Sequence, residues 1–242
     1  MKPTQVIRAL IVILAILYLY FAIVGEDMNS VGFRGLSIIL LASLYVSKVE
    51  NRNKFFLSFL LVYALGDLFG LVTWFTNINK SERLDLIYYY VGNCIYISSY
   101  LLLSLRILSS LNLKLIIKNY LHYVALLILI SISCIYFISD ATIEYIDTSA
   151  FLLESIYNIV IIILMSLALL GYLTHDDKKS INLLIASILI VLSEILQLAY
   201  FYVAELNFLN IICAFLFALA FLFFYLQSRL EYRTPIEYTY EV

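Results

Sequence analysis

The sequence predicts an all-α membrane protein: a bundle of eight transmembrane helices with both termini in the cytoplasm. Of the 242 residues, 64% are hydrophobic and only 13% are charged, whereas soluble domains are about 45–50% apolar and about 25% charged. Eight apolar segments are long enough to cross about 30 Å of hydrocarbon. We expect a single membrane domain over residues 1–230 and a short polar cytoplasmic tail over 231–242.

The eight apolar segments follow one another with short polar connections. The first comes after Lys2 and Arg8, as a signal peptide would, but it is long for such a segment and no A-x-A site closes it. We therefore expect it to be retained as the first helix. The second segment is the shortest. The predicted spans are residues 6–24, 34–48, 55–76, 85–108, 119–139, 150–173, 180–204 and 207–228.

The distribution of basic residues predicts the orientation of the bundle. With eight spans, both termini lie on one side, and twelve of the fifteen Lys and Arg residues fall there. Only Arg34, Lys80 and Arg83 fall on the opposite side. Cytoplasmic loops are enriched in Lys and Arg, so the termini are predicted to be cytoplasmic. The loop over residues 139–150, SDATIEYIDTSA, has three acids and no basic residue, and we expect it to face outward.

Several classes of site and partner are disfavoured by composition. A net charge of −2 argues against a nucleic-acid partner. Cys94, Cys134 and Cys213 lie within apolar segments and are expected to be buried apolar residues rather than metal ligands. His122 lies at the end of a predicted span and His175 in a loop, so no metal site within the membrane is expected. We predict no cofactor.

The third predicted span has a carboxylate, Asp67, near its centre. A charged residue at this depth costs about 2.5–3.5 kcal/mol on insertion scales, so Asp67 is expected to face the interior of the bundle or a water-filled cavity. Gly66 and Gly70 form a small-xxx-small pair that allows another helix to come close. An alternative interpretation makes Asp67 a structural hydrogen-bond anchor.

Three further spans carry polar residues that are expected to meet Asp67. In the seventh, Glu194 follows Ser193 as Asp67 follows Gly66, and in the fourth a line of polar residues shares one helical face. In the sixth, Glu154 and Asn158 are four residues apart, although Glu154 could also simply reach the membrane interface. We expect one cavity to collect the deep polar groups Asp67, Asn93, Asn158, Glu194 and Gln197, with Glu154 above them.

No cation is predicted inside a span to neutralise these acids, if Arg106 lies at the cytoplasmic end of its helix. The acids would then be satisfied by hydrogen bonds, by shared protons, or by a bound cation or substrate.

Three stretches resemble the lysoplasmalogenase-like (YhhN) family of eight-span membrane proteins. The family has a Gly-Asp pair in its third span, a Gly followed by polar residues in its fourth, and a small residue followed by an acid in its seventh. The matching stretches are RNKFFLSFLLVYALGDLFGL (52–71), YYVGNCIYISSYLL (89–102) and IASILIVLSEILQL (185–198).

The chain departs from the family pattern at three points. Ser98 stands where the family usually has His, and Glu194 stands where it usually has Asp. A Gln common in the family's last span is expected to have no counterpart here, because that span reads IICAFLFALAFLFFYL.

The resemblance implies hydrolysis of the vinyl-ether bond of lysoplasmalogens to a fatty aldehyde and a glycerophospho-base, with a lysophospholipid or another lipid of the bilayer as partner. The reaction needs one protonated acid and a second group that stabilises the cation or activates water. We predict Asp67 as proton donor and Glu194 as its partner, with the reverse assignment left open. Asn93 and Gln197 would position water, and the remaining binding or positioning candidates are Tyr96, Ser98, Tyr100, Glu154 and Asn158.

Two other functions fit the same residues. One is a non-catalytic relative of the family that binds lipid or has a structural role, which the absent histidine favours. The other is a small proton-coupled transporter, because two acids within the membrane also suit a proton relay. Transporters tend to have helices broken by Gly or Pro at the site, and no predicted span contains Pro.

Overall fold

A computed structural model of the chain describes residues 3–75, 82–143, 147–203 and 205–230. The predicted tail over 231–242 lies outside the described residues, as do residues 76 and 204 at the ends of predicted spans, residues 144–146 of the predicted outward loop, and the loop charges Lys2, Lys80 and Arg233. Within the described ranges all regular structure is helical: α1 Pro3–Val24, α2 Asp27–Lys48, α3 Lys54–Phe75, α4 Glu82–Leu108, α5 Leu113–Asn119, α6 Leu121–Thr142, α7 Thr148–His175, α8 Lys178–Tyr202 and α9 Asn207–Ser228.

Eight of these helices, all except α5, are long and apolar enough to cross a membrane. They correspond to the eight predicted spans, so the predicted all-α class is confirmed and the composition of the helices supports a multi-pass membrane protein. The short helix α5 was not predicted. Its N-cap residue, Asn112, accepts a hydrogen bond from the backbone N–H of Leu115, which satisfies one of the free donors at the helix start.

The helix α2 begins at Asp27, seven residues before the predicted start of the second span at residue 34. The prediction counted only apolar residues and therefore stopped at the polar stretch DMNSVGFR (27–34). That stretch is helical, and Gly25, with a φ of 81°, provides the turn that separates α2 from α1. As a result, Arg34 lies within α2 rather than in a loop.

Seven helices form a closed ring in the order α1, α2, α3, α4, α7, α8, α9, in which each contacts the next and α9 contacts α1. The remaining long helix, α6, packs on the outside of α7. We call the end of the ring at which α1 begins and α9 ends the terminal end, and the opposite end the far end. Contacts identify both ends: Lys179 Nζ donates to the carbonyl of Leu230 at the terminal end (2.5 Å), and Asn207 Nδ2 donates to the carbonyl of Ile23 at the far end (3.4 Å).

Aromatic side chains fill the middle of the ring. The ring of Phe59 stacks on Phe221 with 5.8 Å between centroids and meets Phe224 edge-on at 5.4 Å. Tyr63 packs against Phe217 and Phe221 at 5.4 and 5.3 Å. Such pairs stabilise a core by about 0.5–1.5 kcal/mol each beyond the area that they bury. This packing holds in place the tyrosines that contact the acids. The acids lie nearer to the far end of the ring.

Candidate functional site

Asp67 forms an ion pair with Arg34 inside the ring. The guanidinium Nη2 of Arg34 lies 2.6 Å from Asp67 Oδ1, and its Nε lies 3.2 Å from both carboxylate oxygens. The side chain of Asp67 is 0% exposed and that of Arg34 is 13% exposed. The expectation that no cation lies inside a span near the acids is therefore wrong.

The ion pair forms because each charge compensates the cost of burying the other. Arg34 lies seven residues into α2 and Asp67 eight residues before the end of α3, so both lie about 10–12 Å from the far end at 1.5 Å per residue. Either charge alone would be costly at that depth, whereas the pair is hydrogen-bonded and compensated. The guanidinium carbon of Arg34 also lies 4.7 Å from the ring centroid of Phe217, a cation–π contact.

Two glycines allow three helices to meet at Asp67. A Cβ at Gly35 of α2 would lie 2.9 Å from Asp67 Cβ, and a Cβ at Gly66 of α3 would lie 2.8 Å from the ring of Tyr96. Because these sites lack a Cβ, the hydroxyl of Tyr96 can donate to Asp67 Oδ1 at 2.8 Å. Gly70, by contrast, would place a Cβ 4.0 Å from Val31, an ordinary contact. The predicted close approach of another helix is thus found at Gly66 but not at Gly70.

Gly66→Ala is expected to destabilise the folded protein by about 1–3 kcal/mol, the usual range for overpacking. The added methyl group would push Tyr96 away from Asp67. Gly70→Ala is the matched control on the same helix and is expected to change stability little, because its Cβ would make only an ordinary contact with Val31. Unfolding of both variants in detergent measures the difference. Equal stability of the two variants would contradict the described contact of Gly66 with Tyr96.

Glu194 is held by tyrosines rather than by a cation. Its Oε1 accepts a hydrogen bond from the hydroxyl of Tyr100, and the hydroxyl of Tyr157 interacts with the same carboxyl group. Glu194 is 7% exposed, and among the described residues it forms no ion pair. The neighbouring Ser193 donates to the carbonyl of Cys213 at 2.9 Å, which ties α8 to α9 at this level.

The two acids belong to one continuous group of side chains. Tyr96, which binds Asp67, and Tyr100, which binds Glu194, are one turn apart on α4. The ring of Tyr63 packs against both, with centroid distances of 4.9 and 5.7 Å. We call this group the polar cluster; it consists of Arg34, Tyr63, Asp67, Tyr96, Tyr100, Tyr157 and Glu194.

Glu154 and Asn158 lie on α7, Glu154 closer to the far end. Glu154 Oε1 accepts hydrogen bonds from the hydroxyls of Tyr89 at 2.6 Å and Tyr202 at 3.4 Å. Asn158, one turn deeper, is 1% exposed, and neither amide atom has a hydrogen-bond partner among the described residues. Glu154 is 7% exposed and therefore lies inside the bundle. Asn158 retains hydrogen-bonding capacity that a ligand can use.

The other predicted site residues are not bonded to the acids. Asn93 donates to the carbonyl of Tyr89 in its own helix at 3.0 Å, and Gln197 is half-buried, three residues beyond Glu194. Ser98 is exposed on the outside of the ring and donates to the carbonyl of Cys94 at 2.7 Å. Ser98, which was predicted as a binding or positioning residue, is thus turned away from the acids by its position on α4.

Near the terminal end, Arg106 is buried and its Nη2 donates to Gln227 Oε1 at 3.4 Å. Gln227 is fully buried in α9, beyond the stretch IICAFLFALAFLFFYL in which no counterpart of the family's Gln was expected. Within the described ranges, no group of three or more His, Cys, Asp and Glu side chains is arranged to hold a metal ion.

No protein-family model, curated protein or solved structure matches this chain. The resemblance to the lysoplasmalogenase-like family thus depends on the three sequence stretches alone. The chemistry of the polar cluster has to be derived from its own geometry.

Proposed function

We propose that this chain is a membrane enzyme of the lysoplasmalogenase type, which hydrolyses the vinyl-ether bond of a single-chain phospholipid. The observation that carries the proposal is the unequal partnering of two acids in one buried cluster. Asp67 has a guanidinium partner, whereas Glu194 has only hydroxyl partners. The sequence resemblance supplies the reaction, and the cluster supplies a pair of carboxyl groups in different chemical states.

Glu194 is the proton donor in this proposal. The ion pair with Arg34 requires Asp67 to be a carboxylate, and a carboxylate has no proton to give. Glu194 has no ion-pair partner among the described residues, so it can carry the proton. The preferred assignment from sequence, with Asp67 as donor, is thus reversed in favour of the alternative that it left open.

The reaction begins when Glu194 transfers its proton to the carbon of the vinyl ether that is remote from oxygen. The resulting oxocarbenium ion is stabilised by the carboxylate of Asp67, which also accepts a proton from the attacking water. Water adds to the carbon next to oxygen and gives up one proton to Asp67, which leaves a neutral hemiacetal. When the hemiacetal collapses, its hydroxyl proton passes to the departing glycerol oxygen, so that a fatty aldehyde and the glycerophospho-base are released. Transfer of the proton from Asp67 to Glu194 then restores both acids to their starting states.

The substrate reaches the cluster from the far end. Tyr89 and Tyr202 lie there with their hydroxyls on Glu154, and Asn158 lies one turn further inward on α7. Hydrogen bonds from these groups suit the free hydroxyl and the glycerol oxygens of a lysophospholipid. Its single chain would extend into the apolar interior.

The bundle is proposed to span the cell membrane with its terminal end in the cytoplasm. Because Arg34 lies within α2, only Lys80 and Arg83 of the fifteen basic residues remain on the opposite side, so the charge bias is stronger than the sequence count suggested. A reporter enzyme fused after Val242 is expected to lie in the cytoplasm. A reporter that is active only in the cytoplasm should therefore be active in this fusion. Activity of the fusion on the opposite side of the membrane would contradict this orientation.

Release of aldehyde from a lysoplasmalogen by the purified protein tests the proposed function. The expected substrate has a vinyl ether, so two lipids with the same headgroup serve as controls: the acyl ester and the saturated alkyl ether. Neither control lipid has a carbon–carbon double bond next to the oxygen that joins its chain to glycerol. Neither can therefore accept the proton on carbon. If no lysoplasmalogen yields aldehyde, or if all three lipids are cleaved alike, the proposed reaction is wrong.

A non-catalytic lipid-binding role is the second candidate. It is favoured by the complete burial of Asp67 and by the protein partners that both acids have. In that case the cluster stabilises the bundle, and the protein would bind the lysolipid without releasing aldehyde.

A further inference from the structure

A lateral groove opens between α1, α2 and α9. It has a volume of about 470 Å³, within the range of about 300–1,000 Å³ that is usual for ligand sites. Val12, Ile16, Phe215 and Leu222 line it and are themselves exposed, so the groove opens sideways, toward the surroundings of the bundle. Its apolar walls and lateral opening suit a hydrocarbon chain.

The groove occupies the middle of the α1 span, and its length is similar to the hydrocarbon thickness of one leaflet. On α1 it extends from Arg8 to Leu19, which is about 16 Å at 1.5 Å per residue. A bilayer has about 30 Å of hydrocarbon, so each leaflet accounts for about half of that. At its inner end the groove reaches Arg34, which is already paired with Asp67. A lipid chain lying in the groove would therefore have its headgroup at the terminal end.

The terminal end of the groove has hydrogen-bond donors for an anion. Tyr225 lines the groove, is 8% exposed, and its hydroxyl has no hydrogen-bond partner among the described residues. The exposed Arg229 lies over its ring, with the guanidinium carbon 5.9 Å from the centroid. Arg8 lines the same end from α1 and is exposed. In the part of the chain that is described, neither arginine forms a salt bridge.

We propose that the groove binds one acyl chain of an anionic phospholipid, with the phosphate held by Arg8, Arg229 and the hydroxyl of Tyr225. Arginine donors bind phosphate through charge-assisted hydrogen bonds, and basic sites between membrane helices recognise anionic headgroups. A zwitterionic lipid binds more weakly, because its ammonium group lies near the same two arginines. The inner end of the groove reaches Arg34 of the polar cluster, but the headgroup end lies away from the acids, and binding of a lipid there does not depend on the proposed hydrolysis.

Native mass spectrometry of the purified full-length protein, titrated with phosphatidylglycerol or phosphatidylcholine of the same acyl chains, tests the proposal. We expect phosphatidylglycerol to bind at least about tenfold more tightly. Tyr225→Phe removes only the hydroxyl and is expected to weaken phosphatidylglycerol binding by about tenfold, the usual effect of losing a hydrogen bond to a charged group. Arg8→Gln should weaken it at least as much.

The acyl-chain half of the groove is tested with a matched pair of substitutions. Ala15 lines the groove on α1, so Ala15→Phe is expected to prevent retention of the lipid. Ala125 is exposed on α6, away from the groove, so Ala125→Phe adds the same bulk without effect on binding. Circular dichroism of each variant establishes that it is folded before the comparison is made.

Three results would overturn the proposal. Equal binding of the two lipids would remove the headgroup site, and unchanged binding by folded Tyr225→Phe and Ala15→Phe variants would remove the groove. Displacement of phosphatidylglycerol by millimolar inorganic phosphate alone would indicate a phosphate site without a role for the acyl chain. None of these measurements depends on aldehyde release.

Discussion

Replacing Arg34 by glutamine is expected to lower the free energy of unfolding by about 3–5 kcal/mol, the usual effect of removing one partner of a buried ion pair. The loss arises because Asp67, with 0% exposure, would be left as a buried charge without a counter-ion. Tyr96 still donates to it, but one hydroxyl does not compensate a full negative charge. Chemical unfolding in mixed micelles measures the change.

A double variant separates the ion pair from a general packing effect. Asp67→Asn added to Arg34→Gln removes the stranded charge, so the double variant should be more stable than Arg34→Gln alone. The coupling between the two sites is then obtained from the double-mutant cycle. Arg52→Gln, at an exposed arginine outside the helices, is the control and should change stability little. Additive effects of the two substitutions would show that the ion pair does not stabilise the bundle.

Glu194→Gln is expected to reduce aldehyde release by at least about 10²-fold, because general acid catalysis typically contributes 10²–10⁴-fold. The amide is nearly isosteric and its oxygen can still accept the hydrogen bonds from Tyr100 and Tyr157, so the variant should remain folded. What it lacks is a proton that it can transfer to carbon. The initial rate of aldehyde release at saturating lysoplasmalogen measures the effect.

The control for Glu194→Gln is Ser98→Ala, which changes an exposed hydroxyl bonded to its own helix. Its aldehyde release should equal that of the wild type. If Glu194→Gln retains wild-type activity, Glu194 is not the proton donor, and the tyrosines around it have a structural role only. Asp67→Asn is a less clean test of catalysis, because it also leaves Arg34 without a counter-ion.

The helical fold follows from features that are local in sequence. Each long helix is a run of apolar residues long enough to span hydrocarbon, so eight of the nine described helices were predicted. The predicted helices are wrong where a polar stretch is nevertheless helical or where a helix is short. Residues 27–34 are polar but helical because α2 has a partner helix on which to place Arg34. Helix α5 is too short for an apolar count to detect.

Part of the site could also be predicted from local features of the sequence. Asp67 and Glu194 stand out because each is an acid in an apolar span, and the spacing of Tyr96 and Tyr100 placed both tyrosines on one face of α4. Arg34 was missed because it lay at the predicted boundary of a span and was counted as a loop charge. The signal that could have found it is Asp67 itself, since a buried carboxylate favours a cation nearby. Ser98 was misplaced because sequence depth does not determine which face of a helix a residue occupies.

The central claim, that a carboxyl group protonates a vinyl-ether carbon, is tested most directly by running the reaction in D₂O. Mass spectrometry of the aldehyde, trapped by reduction as it forms, locates any deuterium taken from solvent. Protonation on carbon predicts one deuterium at C2 of the aldehyde, while unlabelled aldehyde kept in D₂O under the same conditions acquires none in that time. An aldehyde released without deuterium at C2 would contradict the claim.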